Sequence, residues 1–186
     1  FSRHPRQVET INRDRVNQQV PIADRVTAIG SYEAIANQCQ LIFPIVPSEN
    51  FRSMMQQLAL WLRPFHILIH GTKGLDITAE QNTMQDALSL TREQVHTMSE
   101  VILQESSVLR VGCLSGPNLS AEISAGQPAA TVIGSPFDEV VDLGQRYLQS
   151  KRFRVFGTRD MLGAEFAGAF KNAIAIGSGI LTGMGL

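Results

Sequence analysis

Two lysines in unlike surroundings are the residues of this sequence best suited to chemistry. Lys73 lies in the polar turn Thr72-Lys73-Gly74, directly after the apolar run His66-Ile67-Leu68-Ile69-His70. Lys171 lies in Gly168-Ala169-Phe170-Lys171-Asn172-Ala173-Ile174, among small or apolar neighbours. Gly163, Ala164, Ala167, Gly168, Lys171 and Ala175 fall on one helical stripe at three-and-four spacing. A smooth strip with one ammonium lets a flat ring or small substrate approach the backbone, and burial there would lower the lysine pKa toward the acid–base range. On spacing alone, Lys171 reads equally well as a lysine snorkelling from a packed helix, and Lys73 as a solvated turn residue.

Other polar candidates sit at turns. Pro47-Ser48, Thr72-Lys73-Gly74 and Ser115-Gly116-Pro117-Asn118 each follow an apolar run. In an open α/β sheet, ligands bind beyond the carboxyl ends of the strands, where such turns lie. Simple turn chemistry explains each turn taken singly. His66 and His70 share a strand face by parity, but no further metal-ligand types stand nearby, so they read as hydrogen-bonded core histidines. Gly177-Ser178-Gly179-Ile180-Leu181-Thr182-Gly183 loosely imitates a dinucleotide-binding glycine loop. It lacks the following helix and the acidic residue about 20 positions on, and its glycines read instead as sites of close helix packing.

The elements that must position these residues alternate. Strands are expected at 41–46 (weakened by Pro44), 66–70, 108–114, 129–133 and 153–156. Helices are expected from Ser48 to Pro64, from the Thr91/Gln94 capping box through Val95, Met98, Val101 and Ile102, over 118–125, and from Ser135-Pro136 through Leu148. Strands separated by crossover-length helices predict an α/β fold with a largely parallel sheet. From about Asp160 the texture becomes one small-residue helix, which places a domain boundary there: 1–159 and 160–186.

Composition narrows the function classes. Hydrophobic residues at 44% and charged residues at 18% over 186 positions are globular values, and exclude whole-chain disorder. A net charge of -1 supplies no basic field for nucleic acid or an anionic membrane. Cys39 and Cys113 stand far apart in no metal-ligand spacing, which fits a reducing compartment. No apolar run reaches the roughly 18 residues a membrane span needs, and no signal peptide is recognisable. The chain opens on Phe1 rather than Met and closes after an apolar, Gly-rich run, so it is expected to be an internal piece of a longer protein.

Taken together, three ordered motifs carry a resemblance. Thr72-Lys73-Gly74-Leu75, Leu114-Ser115-Gly116-Pro117-Asn118-Leu119-Ser120-Ala121-Glu122 and Gly163-Ala164-Glu165-Phe166-Ala167-Gly168-Ala169-Phe170-Lys171-Asn172 resemble those of NAD(P)-dependent glycerol-3-phosphate dehydrogenases of the bacterial type. Val46-Pro47-Ser48 and Phe153-Arg154-Val155-Phe156 match the connecting segments, so the likeness spans essentially the whole chain. At 118 and 120 the chain carries Asn and Ser where that family commonly has Ser or Thr, and Ala.

The resemblance implies a Rossmann-like parallel-sheet domain, lacking its first glycine-rich unit, followed by the first helix of an all-α domain. It implies Lys73 between cofactor and substrate, Gly116 and Asn118 at the substrate, Pro47 and Ser120 at the cofactor, and Lys171 as proton donor. The implied reaction interconverts dihydroxyacetone phosphate and sn-glycerol 3-phosphate for phospholipid synthesis, in the cytoplasm, by a possible homodimer. Phe1-Ser2-Arg3 then falls where a second strand ends, and Arg3 suits the 2′-phosphate of NADP over NAD. Two other readings are a dehydrogenase of the 6-phosphogluconate or β-hydroxyacid type and a non-catalytic nucleotide-binding fragment. Adjacent Lys171-Asn172, with Thr72-Lys73-Gly74, favours the first reading over that dehydrogenase type.

Overall fold

A computed structural model describes residues 1–17, 20–78 and 89–185. Its frame is a five-stranded sheet in the order β3-β4-β7-β8-β9, formed by β3 (Leu41–Ile42), β4 (Ile67–His70), β7 (Arg110–Ser115), β8 (Ala129–Gly134) and β9 (Phe153–Thr158). Two short antiparallel pairs lie apart from it: β1 (Val16–Asn17) with β2 (Val20–Pro21), and β5 (Asp76–Ile77) with β6 (Val95–His96).

Helices cover both faces of the sheet. On one face α2 (Tyr32–Gln38), α3 (Phe51–Ala59) and α4 (Met98–Glu105) bury Ala36, Phe51, Met55, Leu58, Met98, Val101 and Ile102 against Ile42, Leu68 and Val111. On the other, α6 (Asp138–Leu148) sets Val140 against Ile67, Ile69, Ile133 and Val155. All four β4 residues are therefore buried, as a strand covered on both sides requires. Helix α1 (Pro5–Asp14) carries no buried residue, and α5 (Ser120–Ser124) is a short connector.

The sheet is parallel in three of its four pairings, while β7 and β8 run antiparallel. The connection from β7 to β8 holds only the five-residue α5 and turns back on itself. The connection from β8 to β9 carries α6, long enough to cross over and restore parallel pairing. This reversal lays the start of β8 beside the carboxyl end of β7, with Ser115 opposite Val132.

Several local expectations shift. Strand β3 stops at Ile42, because Pro44 lacks the N–H that a ladder needs. A short 3-10 turn, Ser48–Asn50, precedes α3, and α3 ends at Ala59 rather than near Pro64. The Thr91/Gln94 capping box exists, with the Gln94 side chain accepting from the Thr91 N–H at 2.9 Å, but it caps a 3-10 turn. A second box opens α4 itself: Thr97 and Glu100 bond reciprocally at 3.3 and 2.8 Å. Ser135 caps no helix; its buried hydroxyl donates to the Val111 carbonyl at 2.7 Å, and α6 starts at Asp138.

The last element, α7 (Met161–Gly183), is capped by the Asp160 carboxylate, which accepts from the Gly163 N–H at 2.8 Å. Its first half packs on β7 and β8. Gly134 permits that approach, since a Cβ there would stand 2.9 Å from Met161 Cα and 3.1 Å from Ala164 Cβ. Residues 170–185 are exposed, and the glycines at 177, 179 and 183 meet nothing within 4 Å, so they do not serve close packing among the described residues. No described helix is long and apolar enough to cross a membrane.

Candidate active site

The three turns singled out in sequence meet at the carboxyl ends of β3, β4 and β7. Thr72 Oγ1 donates to the Val46 carbonyl at 2.7 Å and accepts from the Val46 N–H at 3.2 Å, tying the second turn to the first. Gly74 takes φ 123°, a conformation that favours glycine, and its open side faces Ser48 Oγ. Lys73 Nζ donates to the Gly116 carbonyl at 2.8 Å, tying the second turn to the third. Gly116 is required there, because a Cβ would stand 2.9 Å from the Ala130 carbonyl oxygen and 3.0 Å from Thr131 Cα.

Asn118 completes the third turn. Its N–H donates to the Gly116 carbonyl at 2.9 Å, and Nδ2 donates to Thr131 Oγ1 at 3.1 Å. Thr131 in turn donates to the Ser115 carbonyl at 3.0 Å. Asn118 Oδ1 is buried without a hydrogen-bond partner among the described residues. A buried acceptor in that condition costs free energy until a donor arrives.

Helix α7 brings the third motif to the same place. Gly168 lies against both turns: a Cβ on it would meet Ser115 Oγ at 3.1 Å and Lys73 Cγ at 3.9 Å. Three residues later the chain presents Lys171, whose side chain is exposed. The expected burial of Lys171 is thus not found, because the half of α7 that bears it projects beyond the sheet. The perturbed lysine is Lys73. Partial desolvation, then the neighbouring Lys171 charge, hold its ammonium below the usual lysine range.

The remaining expected residues divide. Pro47 and Arg3 line one cavity of about 230 Å³ with Phe1, Tyr32, Asn50 and Met54. Phe1 stacks on Tyr32 with ring centroids 4.4 Å apart, and residues 1–4 form no strand, contrary to the expectation for Phe1-Ser2-Arg3. Pro5 starts α1 directly after these residues, and Ser2 makes a single backbone bond, its N–H donating to the Ile29 carbonyl at 3.1 Å. Burial pushes the Tyr32 hydroxyl up, and the Arg3 charge partly offsets this. Ser120 is exposed at the start of α5 and makes no hydrogen bond to these groups among the described residues.

His66 is hydrogen-bonded through both ring nitrogens as expected, whereas His70 is bonded through Nε2 and its buried Nδ1 has no partner among the described residues. His66 Nε2 bonds the Ala36 carbonyl at 2.9 Å, and its Nδ1 accepts from the Arg63 N–H at 2.8 Å. His70 Nε2 lies 2.9 Å from Glu165 Oε1 and 3.1 Å from Ser99 Oγ. Glu165 belongs to the third motif but carries no role in the sequence reading. Its signal was an acid placed in an otherwise small and apolar stretch. No group of three or more potential metal ligands occurs among the described residues.

An aromatic platform with a guanidinium at one end of β3, and two lysines with an open acceptor at the ends of β4 and β7, suit a long anionic cofactor lying across the strand ends beside a small carbonyl compound. The chain is similar to known proteins of one family. The family described as NAD-dependent glycerol-3-phosphate dehydrogenase N-terminus matches residues 1–141. A glycerol-3-phosphate dehydrogenase [NAD(P)+] of Pseudomonas paraeruginosa is 34% identical over 190 residues, covering 99% of this chain and 51% of its own length. One of Gloeobacter violaceus is 36% identical over 171 residues, covering 91% and 51%. Among solved structures, the glycerol-3-phosphate dehydrogenase of Coxiella burnetii superposes with TM-score 0.77 at 24% identity, covering 98% of this chain and 52% of that one. That of Plasmodium falciparum gives TM-score 0.80 at 20% identity, covering 97% and 48%. The chain spans about half the length of the curated relatives it matches.

Proposed function

This chain belongs to the NAD-dependent glycerol-3-phosphate dehydrogenase family, and from that premise we propose that it forms the strand-end site of an oxidoreductase interconverting dihydroxyacetone phosphate and sn-glycerol 3-phosphate. The observation that carries this reading is the meeting of Lys73, the Gly116 carbonyl and Gly168, drawn from three separate motifs. Residues 1–159 serve as the nucleotide-binding unit, and 160–186 begin a helical unit that completes the substrate side.

Arg3 and Pro47 hold the adenosine end of NAD or NADP in the cavity they share, and Lys73 and Ser120 lie toward its other end. When bound, the reduced nicotinamide supplies the hydride. The chain's own residues supply the rest. Lys73, already held by the Gly116 carbonyl, offers its remaining protons to the substrate carbonyl oxygen and polarises it. Asn118 Oδ1 accepts from a substrate hydroxyl, which satisfies the buried acceptor. Lys171 gives a proton to the oxygen as it becomes an alkoxide. The product supplies phospholipid synthesis, and the working form is a cytoplasmic homodimer.

The test is a substrate panel. The complete gene product carrying these residues should oxidise reduced cofactor with dihydroxyacetone phosphate, and should not turn over 6-phosphogluconate or small β-hydroxyacids. Turnover confined to the latter substrates would end this reading. Cofactor choice follows from Arg3, an exposed cation beside Tyr32. NADPH is preferred over NADH, and Arg3→Ala should reduce that preference; an unchanged ratio of kcat/KM values would remove Arg3 as the selector.

A further inference from the structure

Away from the reacting atoms, three elements are joined at one buried point. His70 ends β4 immediately before the Gly71-Thr72-Lys73 turn, and is 2% exposed. Glu165, on the packed half of α7, is 6% exposed. Its Oε1 lies 2.9 Å from His70 Nε2 and accepts from the Ser99 N–H at 3.0 Å. Ser99 is the second residue of α4, so a carboxylate from α7 satisfies a free donor in the first turn of another helix. Ser99 Oγ closes the cluster with contacts to His70 Nε2 at 3.1 Å and Met161 Sδ at 3.3 Å.

The mechanism uses neither His70 nor Glu165, yet both are spent at a place where burial is costly. What they share is position. His70 is three residues before Lys73, and Glu165 is three before Gly168 and six before Lys171. We propose that His70 and Glu165 are a positioning pair that locks α7 to the end of β4, and thereby fixes Lys171 relative to Lys73. The proposal rests on the dehydrogenase reading only for its kinetic consequence; the docking itself stands on the contacts.

The groups facing Glu165 are consistent with a lock. From β4 comes His70, from the start of α4 come Thr97, its N-cap, and Ser99, and from β7 comes Cys113. Burial pushes the Glu165 carboxyl up, but the hydrogen bond and charge of His70 and the Ser99 and Thr97 donors outweigh it and hold it below the usual range. Gly134 lets α7 lie close, and the His70–Glu165 contact selects which register along that smooth contact is kept. A single turn of slippage would carry Lys171 about 5.4 Å from its place.

Glu165→Leu, Glu165→Gln, His70→Leu and His70→Gln in the complete gene product test this. Glutamine keeps an acceptor at 165 and can place a donor where His70 Nε2 stands. Two readouts are needed. The first is steady-state kinetics with dihydroxyacetone phosphate beside a cofactor titration. Glu165→Leu should lower kcat by about tenfold to a hundredfold, the range a misplaced group costs, with cofactor Kd unchanged, and Glu165→Gln should restore most of it. The second is the pH dependence of Lys73 acetylation by trace acetic anhydride, read by mass spectrometry without substrate. In Glu165→Leu the Lys73 midpoint should rise, because the Lys171 charge has moved off, and in Glu165→Gln it should match the parent.

If Glu165→Leu does not fold, the His70→Leu and His70→Gln pair makes the same comparison. A folded leucine variant with parental kcat and parental Lys73 titration overturns the proposal, as does a glutamine variant as impaired as the leucine one. A parent protein inactive on dihydroxyacetone phosphate, whose Lys73 midpoint still moves as described, keeps the positioning pair and removes the reaction.

Discussion

Lys73 and Lys171 are chemically alike, and their surroundings differ. Lys73 has one proton committed to the Gly116 carbonyl and is partly desolvated. In the proposed reaction it therefore meets the substrate carbonyl already in the ground state. Lys73→Met should raise KM for dihydroxyacetone phosphate as well as lower kcat, with kcat/KM falling by at least about a hundredfold in steady-state assays. The cysteines offer a simpler contrast. Cys39 is exposed, whereas burial, followed by the Glu165 charge, pushes the Cys113 thiol up to about 12. Of these two, only Cys39 should react with iodoacetamide at pH 8 in the native protein, as read by peptide mapping.

Elements hold these residues through contacts that sequence spacing shows only in part. Strands β4, β7, β8 and β9 were legible because apolar runs bounded by turns permit little else. Helix starts were less so: two capping boxes lie six residues apart at Thr91 and Thr97, and only tertiary packing decides which opens the helix. Ser135 looked like a cap, yet its hydroxyl donates to the Val111 carbonyl and accepts from the Phe137 N–H ahead of the helix, which starts at Asp138. In the site, Lys73 and Lys171 were visible as residue types in turns and stripes. The Lys73–Gly116 and His70–Glu165 contacts were not, because each joins distant segments. The β7-to-β8 turn gives a direct test of element placement. Gly116→Ala forces a Cβ against the Ala130 carbonyl, so it should destabilise the protein by about 1–3 kcal/mol in urea unfolding and weaken dihydroxyacetone phosphate binding. The α7 dock gives another. Glu165 is held below its ordinary pKa of 4.5, so its stabilisation is full above that value and is lost as pH falls through the lower folded one. The melting temperature of the parent should exceed that of Glu165→Gln most at pH 6–7, and the gap should close as the pH approaches 3.

At the scale of the chain, a sheet gathers three turns at its strand ends, and the last helix reaches past it. Phe170, Ile174, Ile176, Ile180 and Leu181 stand exposed along α7 around Lys171. Among the described residues, the docked half of that helix, through Glu165, Gly168 and the Gly134 contact, ties the lysine to the site. The account therefore turns on whether Lys171 acts on the reacting oxygen, and Lys171→Met decides it most directly. Methionine keeps the aliphatic stem, and the residue is exposed, so folding and cofactor affinity should survive. A proton donor strengthens its interaction only as the alkoxide forms, which is worth about 10²–10⁴-fold in rate. In the complete gene product, with dihydroxyacetone phosphate and reduced cofactor, Lys171→Met should bind cofactor as the parent does and lose at least about a hundredfold in kcat. A folded Lys171→Met protein with near-parental kcat would contradict the account and leave Lys171 a solvated residue on an exposed helix.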